Sequence, residues 1–98
     1  MDSQNNQGTI IIDGDVTLNE AQKLQELFSQ SIKKTNKIII DMKNVSYLDL
    51  SFFQLLFAAQ QKCTALNKDI LFNQTSLDFI KSSIDEAGFS HAIMVNVL

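Results

Sequence analysis

The strongest constraint on the fold lies in residues 38–59, where two apolar segments meet at a short polar step. Three consecutive isoleucines at 38–40 predict a buried strand, because β-branched residues favour strands and a covered strand reads as an unbroken apolar run. A very apolar helix is expected from about residue 51 to residue 66. Asp49 and Ser51 lie between these two elements, and polar side chains at such a junction either cap the helix or form a site.

The rest of the chain alternates strand and helix signals. Thr17 and Glu20 have capping-box spacing before an apolar periodicity of the helical type. Gly88 is placed to end the last helix in a left-handed conformation. The expected order is a strand at 8–13, a helix at 18–34, a strand at 37–41, a helix at 51–66, a strand at 69–73 and a helix from residue 77. Such alternation predicts an α/β fold with a mixed or largely parallel sheet.

Two segments leave the strand count open. Residues 45–48 either form a further short strand or lead directly into the next helix, and the segment ending in Val95 and Val97 is expected to form a short edge strand. We therefore expect a four- to five-stranded sheet with helices packed mainly on one face. Residues 1–7 are expected to be a disordered tail, and residues 8–98 a single domain.

Composition narrows the classes of function. The net charge is −3 and all eight basic residues are lysines, which disfavours nucleic-acid binding because phosphate contacts dominate that affinity. A single cysteine cannot form an internal disulfide or a multi-thiolate metal site, and a reducing cytoplasm is the expected location. No apolar run approaches the roughly 20 residues that cross a bilayer. We therefore expect no direct membrane insertion.

The helix after Asp49 carries more apolar surface than one buried face requires. Leu50 and Phe57 fall opposite the expected core face, and Phe53 lies at its margin. The residues expected to face the core are Phe52, Leu55, Leu56, Ala59, Cys63 and Leu66. Large apolar side chains outside a core face indicate either a partner-binding surface or a helix that rotates to bury more of itself.

No set of residues in the sequence supports catalysis. His91 has no cysteine or carboxylate at metal-ligand spacing, and no glycine-rich loop follows a strand. We therefore expect a non-enzymatic protein with no metal and no cofactor. At the junction, Asp49 or Ser51 is expected to cap the helix, while Ser51 is also a candidate phosphorylation site at a helix start.

The segment 47–56, together with the order of elements, resembles the central motif of STAS domains, the fold of bacterial anti-sigma-factor antagonists. This chain differs from the family motif at the residue that follows Asp49. That residue is Ser or Thr in phosphoregulated members, whereas here it is Leu50. Phe52 and Gln54 also replace residues that are typically small in the family. These departures imply an interaction that does not depend on a phosphoryl group at position 50.

The resemblance implies a bacterial regulatory module that binds another protein. The expected contact residues are Asp49, Leu50, Ser51, Phe53 and Phe57. The expected partner is an anti-sigma-factor- or kinase-like protein or a histidine-kinase pathway protein. A second interpretation is a subunit bound to the ATPase of an ABC transporter, since the chain is also similar to the small STAS subunit of bacterial lipid-transport systems. A third is a phosphoswitch at Ser51, and a homodimer is a further candidate assembly.

Overall fold

The computed structural model describes residues 6–97 and contains three strands and three α-helices. Along the chain these are β1 (Gln7–Val16), α1 (Leu18–Lys34), β2 (Lys37–Leu48), α2 (Leu50–Ala65), β3 (Asp69–Phe72) and α3 (Leu77–Glu86), with a 3-10 turn at Gln74–Ser76 before α3. The strands form a parallel sheet in the order β1-β2-β3. The α/β prediction is therefore confirmed.

The number of strands is lower than expected. Residues 45–48 do not form a separate strand, because they continue β2 and pair with the end of β1. The C-terminal segment contributes one parallel bridge, between Phe72 and Val97, and no strand within residues 6–97. The described sheet is consequently three-stranded and parallel, and not a mixed sheet of four or five strands.

The pairing between β1 and β2 contains two β-bulges, and both extra residues belong to β2. Ile11 pairs with Asp41, but Asp13 pairs with Asn44, so β2 carries one extra residue between these pairs. A second extra residue follows, because Gly14 pairs with Val45 and the next residue of β1 pairs with Tyr47. Bulges of this kind bend a strand and re-aim its side chains.

The helices cover one face of the sheet. Alternate side chains of all three strands join the core, and the main contributors are Ile10, Ile12, Ile38, Ile40, Met42, Ile70 and Phe72. Between them, Ile11 is exposed and Ile39 lies outside the core cluster although it is buried. This alternation confirms that the helices pack mainly on one face.

Asn6 and Gln7, the last two residues of the expected tail, are among the described residues. Residues 1–5 of that predicted tail lie outside the described residues. Gln7 starts β1, and the Asn6 carbonyl accepts a hydrogen bond of 2.9 Å from the Asn36 N–H. The first strand therefore begins at Gln7, one residue earlier than the expected strand at 8–13.

The predicted capping box of α1 does not form. Thr17 occupies the N-cap position of α1, but its side chain makes no capping hydrogen bond. Ser76 precedes α3 and accepts a hydrogen bond of 2.7 Å from the Met42 N–H while donating one of 2.6 Å to Asn73 Oδ1. Gly88 does adopt the predicted left-handed conformation, with φ of 83°. Ser76 thus fastens β2 to the turn before α3.

Replacing Ser76 with alanine is expected to lower the free energy of unfolding by about 1–3 kcal/mol, because the buried Met42 N–H would lose its acceptor. Urea denaturation measures the change. Ser82→Ala, at an exposed position of α3, is the matched control and should leave the midpoint unchanged. Equal midpoints for the two variants would contradict the fastening role of Ser76.

Candidate functional site

The junction between β2 and α2 lies at the carboxyl end of the sheet. β2 ends at Leu48, Asp49 is the N-cap, and α2 begins at Leu50. The Asp49 N–H donates a hydrogen bond of 2.8 Å to the Val16 carbonyl, the last residue of β1. Because the strands are parallel, this bond brings the starts of α1 and α2 to the same end of the sheet.

Asp49 holds the first turn of α2 through Ser51. One carboxylate oxygen of Asp49 accepts hydrogen bonds from the Ser51 N–H at 2.8 Å and from Ser51 Oγ at 2.5 Å. The prediction that one of these two residues caps the helix is therefore confirmed for Asp49. The half-buried Ser51 hydroxyl gives its proton to this bond and is not a free donor.

These two bonds favour the ionised carboxylate. The hydrogen bond from the Ser51 hydroxyl, followed by that from the Ser51 N–H, lowers the pKa of Asp49 from its ordinary value of 3.8. A carboxyl whose pKa is lower in the folded chain than in the unfolded chain stabilises the fold above its unfolded pKa. That stabilisation is lost as the pH falls through the lowered folded pKa.

Ser51→Ala is expected to raise the pKa of Asp49 toward its ordinary value, because the first of the two bonds is removed. At neutral pH the variant should be less stable than the wild type, and the difference should shrink in acid once Asp49 is protonated in the folded chain. Side-chain NMR titration and unfolding curves at neutral and acidic pH measure both effects. Ser46→Ala, at an exposed position of β2, is the control, and a pH-independent loss in Ser51→Ala would refute the coupling.

Three large apolar side chains lie exposed around this capped junction. Leu18 is the first residue of α1 and Leu50 the first of α2, and each is 54% exposed. Tyr47, near the end of β2, is 51% exposed. We call Leu18, Tyr47, Asp49, Leu50 and Ser51 the junction surface.

A groove of about 350 Å³ between α1 and α2 borders the junction surface. Its walls combine apolar and amide side chains and carry no charged group, and they are formed by Leu18, Ala21, Gln22, Gln25, Ser51, Gln54, Leu55 and Ala58. Such a lining suits an uncharged segment of another protein better than an anionic ligand.

The structure buries Phe53, which was expected to contact a partner protein. Phe53 is only 3% exposed, and its ring lies edge-on to Phe52 at 5.8 Å and stacks on Phe89 at 5.9 Å. The helix has therefore rotated to bury Phe53, which was the alternative to a partner surface. Leu66 was expected to face the core, but the structure leaves it exposed.

Phe57 lies on the same side of α2 as Leu50, two turns further along, which corresponds to about 10 Å of helix. It is half-buried against the core and borders a second groove of about 380 Å³ with Met94 and Gln60. Gln60 holds the C-terminal segment there, donating to the Met94 carbonyl at 2.6 Å and accepting from the Met94 N–H at 3.0 Å. The structure therefore places Phe57 outside the junction surface.

Leu18 and Tyr47 were not among the expected contact residues. Leu18 falls within the apolar periodicity that predicts α1, but it is the first residue of the helix and is exposed. Tyr47 follows the second bulge of β2. The position of Leu18 in the first turn of a helix could have indicated that it is exposed. No feature of the sequence indicated that Tyr47 is exposed.

The remaining reactive side chains lie apart from this site. Cys63 is buried, and burial raises the pKa of its thiol. His91 is exposed. Within residues 6–97, no three His, Cys, Asp or Glu side chains group as metal ligands, and no helix is long and apolar enough to cross a membrane.

Comparison with known sequences identifies the family. The profile of the family described as "Mlab, STAS domain" matches residues 1–96. This chain belongs to the STAS domain family. No curated protein sequence matches this STAS domain.

A solved structure agrees with the assignment. The anti-sigma factor antagonist SpoIIAA in its unphosphorylated form superposes with a TM-score of 0.71 at 15% sequence identity, covering 97% of this chain and 83% of that chain. At this level of identity the likeness concerns the fold. The family assignment supports a regulatory protein-interaction role and a non-enzymatic domain.

Proposed function

We propose that this STAS domain is a non-enzymatic module of a bacterial regulatory system that binds a partner protein through the junction surface. The observation that carries the proposal is Leu50, which is 54% exposed immediately after the N-cap Asp49. Leu18, which lines the same groove as Ser51, and Tyr47, which lies two residues before Asp49, are further exposed large side chains near the ends of β1 and β2. Grouped large apolar side chains that remain exposed in a monomer mark interaction sites.

The chemistry of this surface favours an interaction that is always available. Leu50 cannot accept a phosphoryl group, and one oxygen of the Asp49 carboxylate accepts hydrogen bonds from both the Ser51 N–H and the Ser51 hydroxyl. Asp49 therefore orients the first turn of α2, and Leu50 is the side chain offered to the partner. Occupancy would depend on the concentration and state of the partner protein.

Two kinds of partner fit the proposal. One is a signalling protein, either an anti-sigma-factor- or kinase-like protein or a component of a histidine-kinase pathway. The other is the ATPase of an ABC transporter, which the match to the "Mlab, STAS domain" profile favours. The uncharged groove between α1 and α2 would receive a segment of either protein.

Capture from the source cell tests the proposal. Wild-type chain and a Leu18→Asp/Leu50→Asp variant would serve as matched baits, and the bound proteins would be identified by mass spectrometry. We expect one signalling protein or transporter ATPase to be enriched on the wild type and lost from the variant. Identical sets of proteins on both baits would refute binding through the junction surface.

A phosphoswitch at Ser51 is a second candidate, because Ser51 borders the groove at the start of α2. A phosphoryl group there would break the 2.5 Å bond to Asp49 and place like charges together, which would disturb the docking surface. Incubation of the chain with the kinase of its own pathway should add one phosphoryl group to the wild type and none to Ser51→Ala. An unchanged mass of the wild type would refute this candidate.

A further inference from the structure

β1 forms an open edge of the sheet. Within residues 6–97 it pairs with β2 alone. The opposite edge is partly covered, because the Phe72 N–H donates to the Asn96 carbonyl at 2.7 Å and Phe72 forms a bridge with Val97. The ten residues of β1 have no such cover among the described residues.

The direction of the backbone groups follows from the ladder. The Asn73 N–H donates to the Ile40 carbonyl, so the backbone groups of Ile40 face β3 and those of the adjacent Asp41 face β1. In a parallel ladder, a residue whose N–H and carbonyl point toward the neighbouring strand bonds to the two residues on either side of its partner. The N–H and carbonyl of the partner itself point away from that strand. Asp41 has Ile11 as its partner, so the N–H and carbonyl of Ile11 point outward.

The features that normally protect an edge strand are missing from the first part of β1. Edge strands of monomeric proteins carry charges, especially lysine, or proline, which discourage pairing with another chain. Residues 7–12 contain neither, and Ile11 is 69% exposed on the face of the sheet that the helices leave open. This edge is therefore competent to pair with a further strand.

We propose that β1 pairs antiparallel with β1 of a second copy of this chain, centred on Ile11. In this arrangement the two Ile11 residues are opposite each other and exchange both backbone hydrogen bonds. Asp13 faces Thr9 of the other copy and Asp15 faces Gln7, so no acidic pair forms. A parallel arrangement in register would place each aspartate beside its own copy, which is unfavourable.

The resulting assembly is a continuous six-stranded sheet with a two-fold axis. Because the central strands run in opposite directions, the two junction surfaces lie at opposite ends of the sheet. Each copy remains free to bind a partner, and loss of the dimer does not by itself remove partner binding. Dimerisation through β1 and docking through Leu50 are therefore separable.

Analytical ultracentrifugation of the full chain over a wide range of concentration tests the proposal. We expect the wild type to dimerise and Ile11→Lys to weaken the dimer at least about tenfold, since the substitution places two like charges face to face. Met94→Lys, at a residue 67% exposed outside β1, is the matched control and should dimerise as the wild type does. A monomeric wild type, or an unaffected Ile11→Lys dimer, would overturn the proposal.

A charge-pair experiment tests the register. Ile11→Lys and Ile11→Glu should each dimerise more weakly than the wild type and should form a tighter one-to-one heterodimer when mixed, because the two side chains would face each other across the axis. Failure of the mixture to associate would show that Ile11 is not at the centre. Circular dichroism of each variant verifies the fold, which is expected to tolerate changes at this exposed position.

Discussion

Leu50→Asp is expected to weaken the complex with the partner protein by about tenfold to hundredfold. Burying a leucine side chain contributes about 1.5–3 kcal/mol, and each 1.4 kcal/mol is a factor of ten in affinity. The new carboxylate would add a desolvation cost at the interface. Titration calorimetry with the purified partner measures the change.

Leu66→Asp is the matched control for this experiment. Leu66 follows α2 at its other end and is exposed to a similar extent as Leu50, but it lies outside the junction surface. Its substitution should leave affinity unchanged, and both variants should unfold at the wild-type midpoint. Equal affinities for wild type and Leu50→Asp would show that the partner binds elsewhere.

Phe53→Ala is expected to have the largest effect on stability, a loss of about 3–5 kcal/mol. Phe53 fills the space between Phe52 and Phe89, so its removal leaves a cavity in the core. Domains of this kind have a total stability of only about 5–15 kcal/mol. Urea denaturation should therefore show a clearly lower midpoint.

Phe57→Ala is the matched control for Phe53→Ala, because it removes the same side chain from a less buried position and so shows how much of the stability loss is due to burial. Phe57 is only half-buried, and its substitution should cost less stability than that of Phe53. Affinity per folded molecule should remain unchanged for Phe53→Ala. Normal stability combined with lost partner binding would restore Phe53 as a contact residue and contradict the packing described above.

The sequence predicted the elements of the fold well where the apolar pattern was long and regular. The three isoleucines at 38–40 and the apolar run of α2 fell where expected. The strand count failed because it depended on tertiary pairing: residues 45–48 join β2 through bulges that leave no local signal. The bond between the Met42 N–H and Ser76 could not be predicted, because folding alone brings these two distant residues together.

The candidate site was predictable only in part. Asp49 and Ser51 were identifiable because a capping residue precedes its helix in sequence. Whether Phe53 or Leu50 is buried depends on the rotation of α2, which the packing against Phe89 decides. Leu18 reaches the site through the folding of a distant segment, whereas Tyr47 is close in sequence but follows a bulge that leaves no local signal. An apolar surface also carries little chemistry from which a partner could be identified.

The two extra residues in β2 could be removed without turning the strand over. Asp41 and Asn44 pair with residues of β1 that are two positions apart, so both lie on the same face although the segment between them carries an extra residue. Deletion of either extra residue should therefore preserve the faces to which the following side chains point. It would instead remove a bend from β2 and change the direction in which Tyr47 approaches the junction surface.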